Sequence, residues 1–181
     1  MNTGPNDHYG RIKLSAFILH NATEEDIVLH AQMGMPYAYT WMDNLAERQG
    51  ELAQLKERLA RQGITLYNAG DMAVAKSAHI HLATEHRDRD IARFNDMLRA
   101  LAKTGIFTTT FTWEPDYVWS TAHAVPGRGG AKVRMVDEKQ LEQVPIKHGR
   151  IYEKDEMWEN FRYFIERVIP VSEETGVRLA L

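Results

Sequence analysis

The sequence predicts an α/β fold on a parallel sheet, and three observations carry that expectation. Short, apolar, β-rich runs alternate with amphipathic helical stretches along the chain. Glycines stand just past several of those stretches, at Gly34, Gly63 and Gly105, where a left-handed C-cap favours them. Strand therefore follows helix in a βαβαβαβαβ order, the pattern of parallel strands joined by helical crossovers.

The elements follow in sequence. Ile12–Ile18 (IKLSAFI) reads as a buried strand, and Thr23-Glu-Glu-Asp26 as the start of a helix ending near Gly34. There the threonine hydroxyl accepts from an orphan backbone N–H, and the acids suit the positive end of the helix dipole. Met35–Thr40 is a second strand, and Leu45, Leu52, Leu55 and Leu59 stripe the next helix. Ile64–Tyr67 is a third strand, followed by a helix with Ile91, Phe94, Met97, Leu98 and Leu101 on one face. Ile106–Thr112 is a fourth strand, rich in β-branched and aromatic residues. A last helix opens near Asp155-Glu156, carries Met157, Phe161, Phe164, Ile165, Val168 and Ile169, and is expected to break between Pro170 and Gly176. Val177–Leu181 is a fifth strand.

Length narrows the architecture. Eight βα units at this spacing would need roughly 350 residues, and a typical (β/α)8 barrel takes about 250, whereas this chain has 181. About four and a half units of a partial (β/α)8 TIM barrel are expected, with the first and fifth strands as edges to be paired or covered. A fragment, a half-barrel completed by a partner, and an open sheet all remain open at this point. Neither G-x-G-x-x-G after the first strand nor G-x-x-x-x-G-K-[ST] anywhere is present, which removes support for nucleotide binding.

Composition excludes other classes. Lys+Arg 22 against Asp+Glu 25 gives a net charge of -3, so no broad basic face for nucleic acid is expected. No apolar run reaches the length of a membrane helix. Met1–Gly10 is polar and lacks the order of a signal peptide, which points to a cytoplasmic protein. With zero cysteines, thiolate nucleophiles and Cys-ligated metal are excluded within these residues.

In parallel α/β folds the site lies at the carboxyl ends of the strands. Those ends read His20-Asn21, Trp41-Met42-Asp43, Asn68-Ala69-Gly70-Asp71 and Trp113-Glu114, a sugar-site mixture of aromatic walls and hydrogen-bonding groups. Asn21, Asp43 and Asp71 fit helix caps equally well, Trp41 and Trp113 fit packing, and His20 fits a structural hydrogen bond. The connection 113–154 is far longer than an ordinary βα loop. It carries Trp119, His123, Arg128, Lys132, Arg134, Lys147, His148 and Arg150, with Val133, Met135, Val136, Leu141 and Val144 spaced between them. An ordered excursion over the sheet is expected, its guanidinium groups suited to an anionic substrate. The opposing reading is a solvated loop, since Asp137, Glu138, Glu142 and Glu153 offset the charge. His79-Ile-His81 alternates like an extended segment without an evident third metal ligand, and His86–Asp90 reads as a solvent-facing charge cluster at a helix start.

Several of these segments together resemble one family. Lys13-Leu-Ser-Ala-Phe-Ile-Leu-His-Asn-Ala-Thr23, Tyr39-Thr-Trp-Met-Asp43, Leu66-Tyr-Asn-Ala-Gly-Asp-Met72, Phe111-Thr-Trp-Glu-Pro115, Arg128–Met135, His148-Gly-Arg-Ile-Tyr152 and Arg167-Val-Ile-Pro-Val171 are similar, in order, to mannonate dehydratase. The resemblance implies a single unit over 1–181, the N-terminal half of a xylose-isomerase-like TIM barrel, with a long fourth βα loop at 113–154. It implies a lyase that dehydrates D-mannonate to 2-keto-3-deoxy-D-gluconate in hexuronate (glucuronate) catabolism, using Mn2+. The family continues past the strand matching Val177–Leu181 into a His-Pro-x-Asp-Pro-Pro stretch, so most metal ligands are expected beyond Leu181 and none is assigned here. Substrate contacts are expected from His20, Asn21, Trp41, Asn68, Asp71, Trp113, Arg128, Arg134 and His148, with no residue assigned as general acid or base. A small-molecule sugar acid is the expected partner, with no nucleic acid or membrane and a homo-oligomer as an option. A sugar isomerase or epimerase on the same barrel, and a non-catalytic half-barrel that dimerises, are the alternatives.

Overall fold

The computed structural model describes residues 14–114 and 119–181. The expected strand start at Ile12-Lys13, the polar segment Met1–Gly10 and Pro115 lie outside the described residues. Five parallel strands form the body: β1 (Ser15–Phe17), β2 (Tyr37–Trp41), β3 (Thr65–Gly70), β4 (Thr108–Thr110) and β7 (Arg178–Ala180). β1, β2 and β3 pair in that order and β4 pairs with β7, so neighbours follow chain order as in a barrel. The β3–β4 junction is bridged by side chains, Asn68 Nδ2 donating to Thr110 Oγ1 at 2.7 Å.

Each crossover helix has a local reason to form. Thr23 caps α1 (Glu24–Gln32) in a capping box, accepting from Asp26 N at 3.2 Å while Asp26 Oδ2 accepts from Thr23 N at 2.8 Å. Leu52, Leu55 and Leu59 form the buried stripe of α2 (Gln49–Arg61). In α5 (Arg87–Lys103), Phe94 packs edge-on against Phe111 and Phe164 with ring centroids 6.2 and 5.2 Å apart, knitting helix, strand and the last helix into one core. The crossover helices α1, α2, α5 and α7 (Lys154–Thr175) run between consecutive strands, and their buried residues join one core.

Several expectations need correction. β1 is only three residues long, and β2 starts two residues later than expected and ends one later, taking in Trp41. The last helix passes through Pro170 to Thr175 and ends at Gly176 in the left-handed conformation. Pro170 is exposed, and the buried Phe164, Val168 and Val171 hold the helix across the one backbone donor it lacks. His79 and His81 lie in a one-turn helix, α4 (Ala78–His81), which Ser77 caps. Asp90 does not face solvent: it is buried, accepting from Ser77 Oγ at 2.7 Å beside Arg89.

The excursion is ordered as expected. It contains an antiparallel hairpin, β5 (Ala122–Pro126) with β6 (Lys132–Met135), and a short helix α6 (Glu138–Leu141). Its apolar residues stay largely uncovered, with Val133, Met135, Val136 and Val144 all exposed.

Candidate active site at the strand ends

The carboxyl ends of β1–β4 converge on one rim. β2 ends in Trp41, which pairs in register with Gly70 at the end of β3. The indole lies flat on that glycine, so a Cβ built on Gly70 would stand 2.4 Å from Trp41 Cζ3. Only glycine lets the tryptophan wall sit so close to the backbone. Beyond β3, Asp71 begins a one-turn helix, α3 (Met72–Ala75). Beyond β4, Trp113 packs on His81, Phe161 and Phe164 at centroid distances of 4.5, 4.9 and 5.8 Å.

A charged pair occupies this rim. Lys76 Nζ donates to Glu114 Oε1 at 2.6 Å, with both side chains partly exposed. That hydrogen bond, opposed by partial burial, holds the Glu114 carboxyl below its ordinary range. His81 lies behind it, buried, and burial is the main cause that lowers its pKa to about 4. The imidazole is therefore neutral at pH 7, with Nδ1 buried and unpartnered among the described residues.

The expected site residues divide into two groups. His20 is half-buried past β1, and Asn21 beside it is exposed. Trp41, Asn68 and Trp113 stand on the rim, with Asn68 committed to Thr110. Asp71 is buried and its carboxylate caps backbone: Oδ1 accepts from Ala73 N at 3.0 Å and Oδ2 from Leu45 N at 3.2 Å. Arg128, in the hairpin turn, and Arg134, on β6, are exposed on the excursion. His148 adopts a left-handed conformation, φ 58°, beside a cavity of about 400 Å3 also lined by Trp119, Lys147, Arg150 and Tyr152. There the Arg150 guanidinium lies 3.8 Å from the Tyr152 ring and binds Glu156 through both nitrogens.

Sequence reading missed Lys76 and His81 as rim residues. Lys76 had no signal because it ends a one-turn helix with no periodicity, and His81 was assigned to an extended segment. Glu114 stood in view at a strand end but carried no role. Among the described residues no three His, Asp or Glu side chains come together to hold a metal ion. Most ligands of the manganese that the resemblance implies are expected beyond Leu181.

The D-mannonate dehydratase (UxuA) family model matches residues 28–149 and 146–181. The chain belongs to the D-mannonate dehydratase family. Mannonate dehydratases of Enterococcus faecalis and Thermotoga neapolitana are 24% and 27% identical to it over 164 and 165 residues. Each alignment covers 72% of this chain and 45% of the relative, so the chain spans about half the length of the relatives it matches. The fold matches a solved mannonate dehydratase of Streptococcus suis serotype 2 at a TM-score of 0.75, with 19% identity, over 94% of this chain and 53% of that one. A D-psicose 3-epimerase shares the fold at a TM-score of 0.60 and 17% identity, over 93% of this chain and 51% of that one. The partial barrel expected from length and element order is the fold observed.

Proposed function

We propose that this chain is the N-terminal part of a hydro-lyase that converts D-mannonate to 2-keto-3-deoxy-D-gluconate in hexuronate catabolism in the cytoplasm. The observation that carries the reading is the family match across 28–181, coincident with a polar, tryptophan-walled rim at the strand ends. The reaction removes the proton from C2 and expels the C3 hydroxyl as water, and the enol that results rearranges to the 2-keto acid. Such a step needs positive charge beside the carboxylate and a proton donor at the leaving hydroxyl. On this rim the Lys76 ammonium supplies the charge, Glu114 accepts a hydrogen bond from a substrate hydroxyl, and Trp41 and Trp113 exclude water from the sugar faces. Neutral His81 keeps Trp113 and the pair in place without adding a competing charge. Manganese belongs to the family reading, with most of its ligands expected beyond Leu181; among the described residues no ligand set gathers, and no step is routed through it.

The test is incubation of the protein with D-mannonate and Mn2+, with the 2-keto-3-deoxy acid assayed by periodate and thiobarbiturate. Appearance of that product supports the reading. Isomerisation of hexonates or ketoses without loss of water replaces it with the isomerase or epimerase alternative.

A further inference from the structure

One histidine outside the rim makes a pair of contacts that its neutral form cannot satisfy. His30 is half-buried in the last turn of α1, with Nδ1 2.9 Å from the Asp26 carbonyl oxygen and Nε2 3.0 Å from the Phe17 carbonyl oxygen. A carbonyl oxygen only accepts hydrogen bonds. A neutral imidazole has one N–H, so it serves one of these oxygens and sets the lone pair of its other nitrogen against the second. The imidazolium donates to both.

The surroundings favour the charged form. The last turn of a helix attracts cations through the helix dipole. His30 lines a cavity of about 290 Å3 with Phe17, Ile18, Leu19, Ala22 and Asp26, and among these residues Asp26 is its one ionisable companion. Hydrogen bonds from the Thr23 backbone N–H and then its hydroxyl hold the Asp26 carboxyl below its ordinary value, so it is ionised throughout the range in which histidines titrate. The other packed elements add little charge here. β1 carries no acidic or basic side chain, and β2 presents the Tyr39 ring to Phe17 at 5.5 Å. On α2, Arg58 is committed to Glu24 and to the Ala22 carbonyl at the opposite end of α1. Glu25 on α1 is exposed, and His20 is the next titratable group along the chain past β1.

We propose that His30 is a pH-sensitive clasp: protonated, it fastens β1 to α1 through the Phe17 and Asp26 carbonyls, and deprotonated, it lets β1 loosen. In either neutral tautomer one carbonyl faces a lone pair at 2.9 or 3.0 Å, so the ring turns out of the geometry that holds both. β1 has few other ties. It is three residues long, Ile18 N just beyond it donates to Tyr39 O at 2.9 Å, and Thr40 Oγ1 donates to Ile18 O at 2.7 Å. A charge-assisted hydrogen bond is therefore a large share of what seats this strand. The strand leads directly into His20-Asn21, so the clasp sets how firmly the first strand end stands on the rim. The sign is fixed by the contacts. The clasped state holds the extra proton, so its stability is present at low pH and lost as pH rises through the titration of the ring. His81 acts in the opposite sense, its contribution being lost as pH falls toward 4. The proposal holds whichever reaction the rim performs.

Long-range 1H–15N NMR of the labelled protein reads the protonation of each imidazole nitrogen between about pH 5 and 8. Amide hydrogen exchange, corrected for the intrinsic rate at each pH, reads β1 at the Ile18 amide. Both His30 nitrogens are expected to be protonated at the acid end, with Ile18 protection about tenfold higher there than with the ring neutral, the lower end of what a hydrogen bond to a charged group contributes. The two changes are expected to share one midpoint. His30→Gln is expected to abolish the pH dependence at Ile18, and His20→Gln to keep it. A His30 ring that is neutral across the whole range overturns the proposal, as does Ile18 protection that stays constant while the ring titrates. A pH dependence that survives in His30→Gln, or that disappears in His20→Gln instead, also overturns it. The first two results are read on the unaltered protein, so they decide the matter even where a variant fails to fold.

Discussion

Gly70→Ala tests whether the Trp41 wall depends on a bare backbone. The added Cβ would stand 2.4 Å from Trp41 Cζ3 and 2.8 Å from Cε3, while carbon atoms rest about 3.5–4.0 Å apart. The indole must therefore withdraw by roughly 1 Å. It cannot do so freely, because Trp41 is held in register with Gly70 across the β2–β3 ladder, between the buried Thr40 and Met42. Overpacking of this kind costs about 1–3 kcal/mol. For a domain of this size each kcal/mol lowers Tm by about 2–4 °C, so a fall of roughly 2–12 °C is expected. Gly50→Ala is the internal control: it lies in α2 with nothing within 4 Å of the new Cβ, and a helical alanine there is expected to stabilise by up to about 1 kcal/mol. Thermal melts by circular dichroism read the stability, and tryptophan fluorescence reads the shift of the indole. A Gly70→Ala protein as stable as the parent, with an unchanged emission spectrum, would refute the argument.

Other outcomes follow from the same contacts. Phe94→Ala removes a fully buried ring that touches Phe111 and Phe164 and is expected to cost about 3–5 kcal/mol in guanidinium unfolding; a loss under 1 kcal/mol would show that the helix, strand and last helix do not share one core. Thr23→Ala, which breaks the capping box, is expected to cost about 1 kcal/mol, and an unchanged midpoint would deny that the box matters. His81 has its pKa lowered to about 4 in the fold from an ordinary 6.5, so the unfolded chain binds the extra proton first. Stability from this residue is then complete above about pH 6.5 and lost as pH falls toward 4; denaturation midpoints across that window should slope, and His81→Gln should flatten the slope. Lys76→Met removes the ammonium that keeps the Glu114 carboxyl low, and NMR titration should show that carboxyl moving upward; an unmoved titration would place its stabilisation elsewhere.

Much of the fold was legible in the sequence because its signals are local. The capping box at Thr23, the leucine stripe of α2 and the apolar face of α5 sit within one or two turns of chain, and they appear where the residues announce them. The rim was legible in part, since Trp41, Asn68 and Trp113 follow from knowing that function gathers at strand ends. Short elements were less legible: a one-turn helix such as α4 offers no period, so His79-Ile-His81 could be taken for an extended segment. Pro170 was read by its usual helix-breaking effect, which the packing of Phe164, Val168 and Val171 overrides.

By itself the sequence determined the order of strands and helices, the half-barrel length and the family, because these depend on periodicity, caps and motifs read along the chain. The tertiary structure alone decided that Lys76 meets Glu114 across 38 residues, that Asp71 caps Leu45 across 26, and that Asn160 binds the His81 carbonyl across 79. It also decided that Asp90 is buried with Ser77 and that Trp41 rests on Gly70. Such contacts depend on how parallel strands align and how helices pack over them. Those alignments are set by burial of the whole core at once, which no single stretch of sequence encodes.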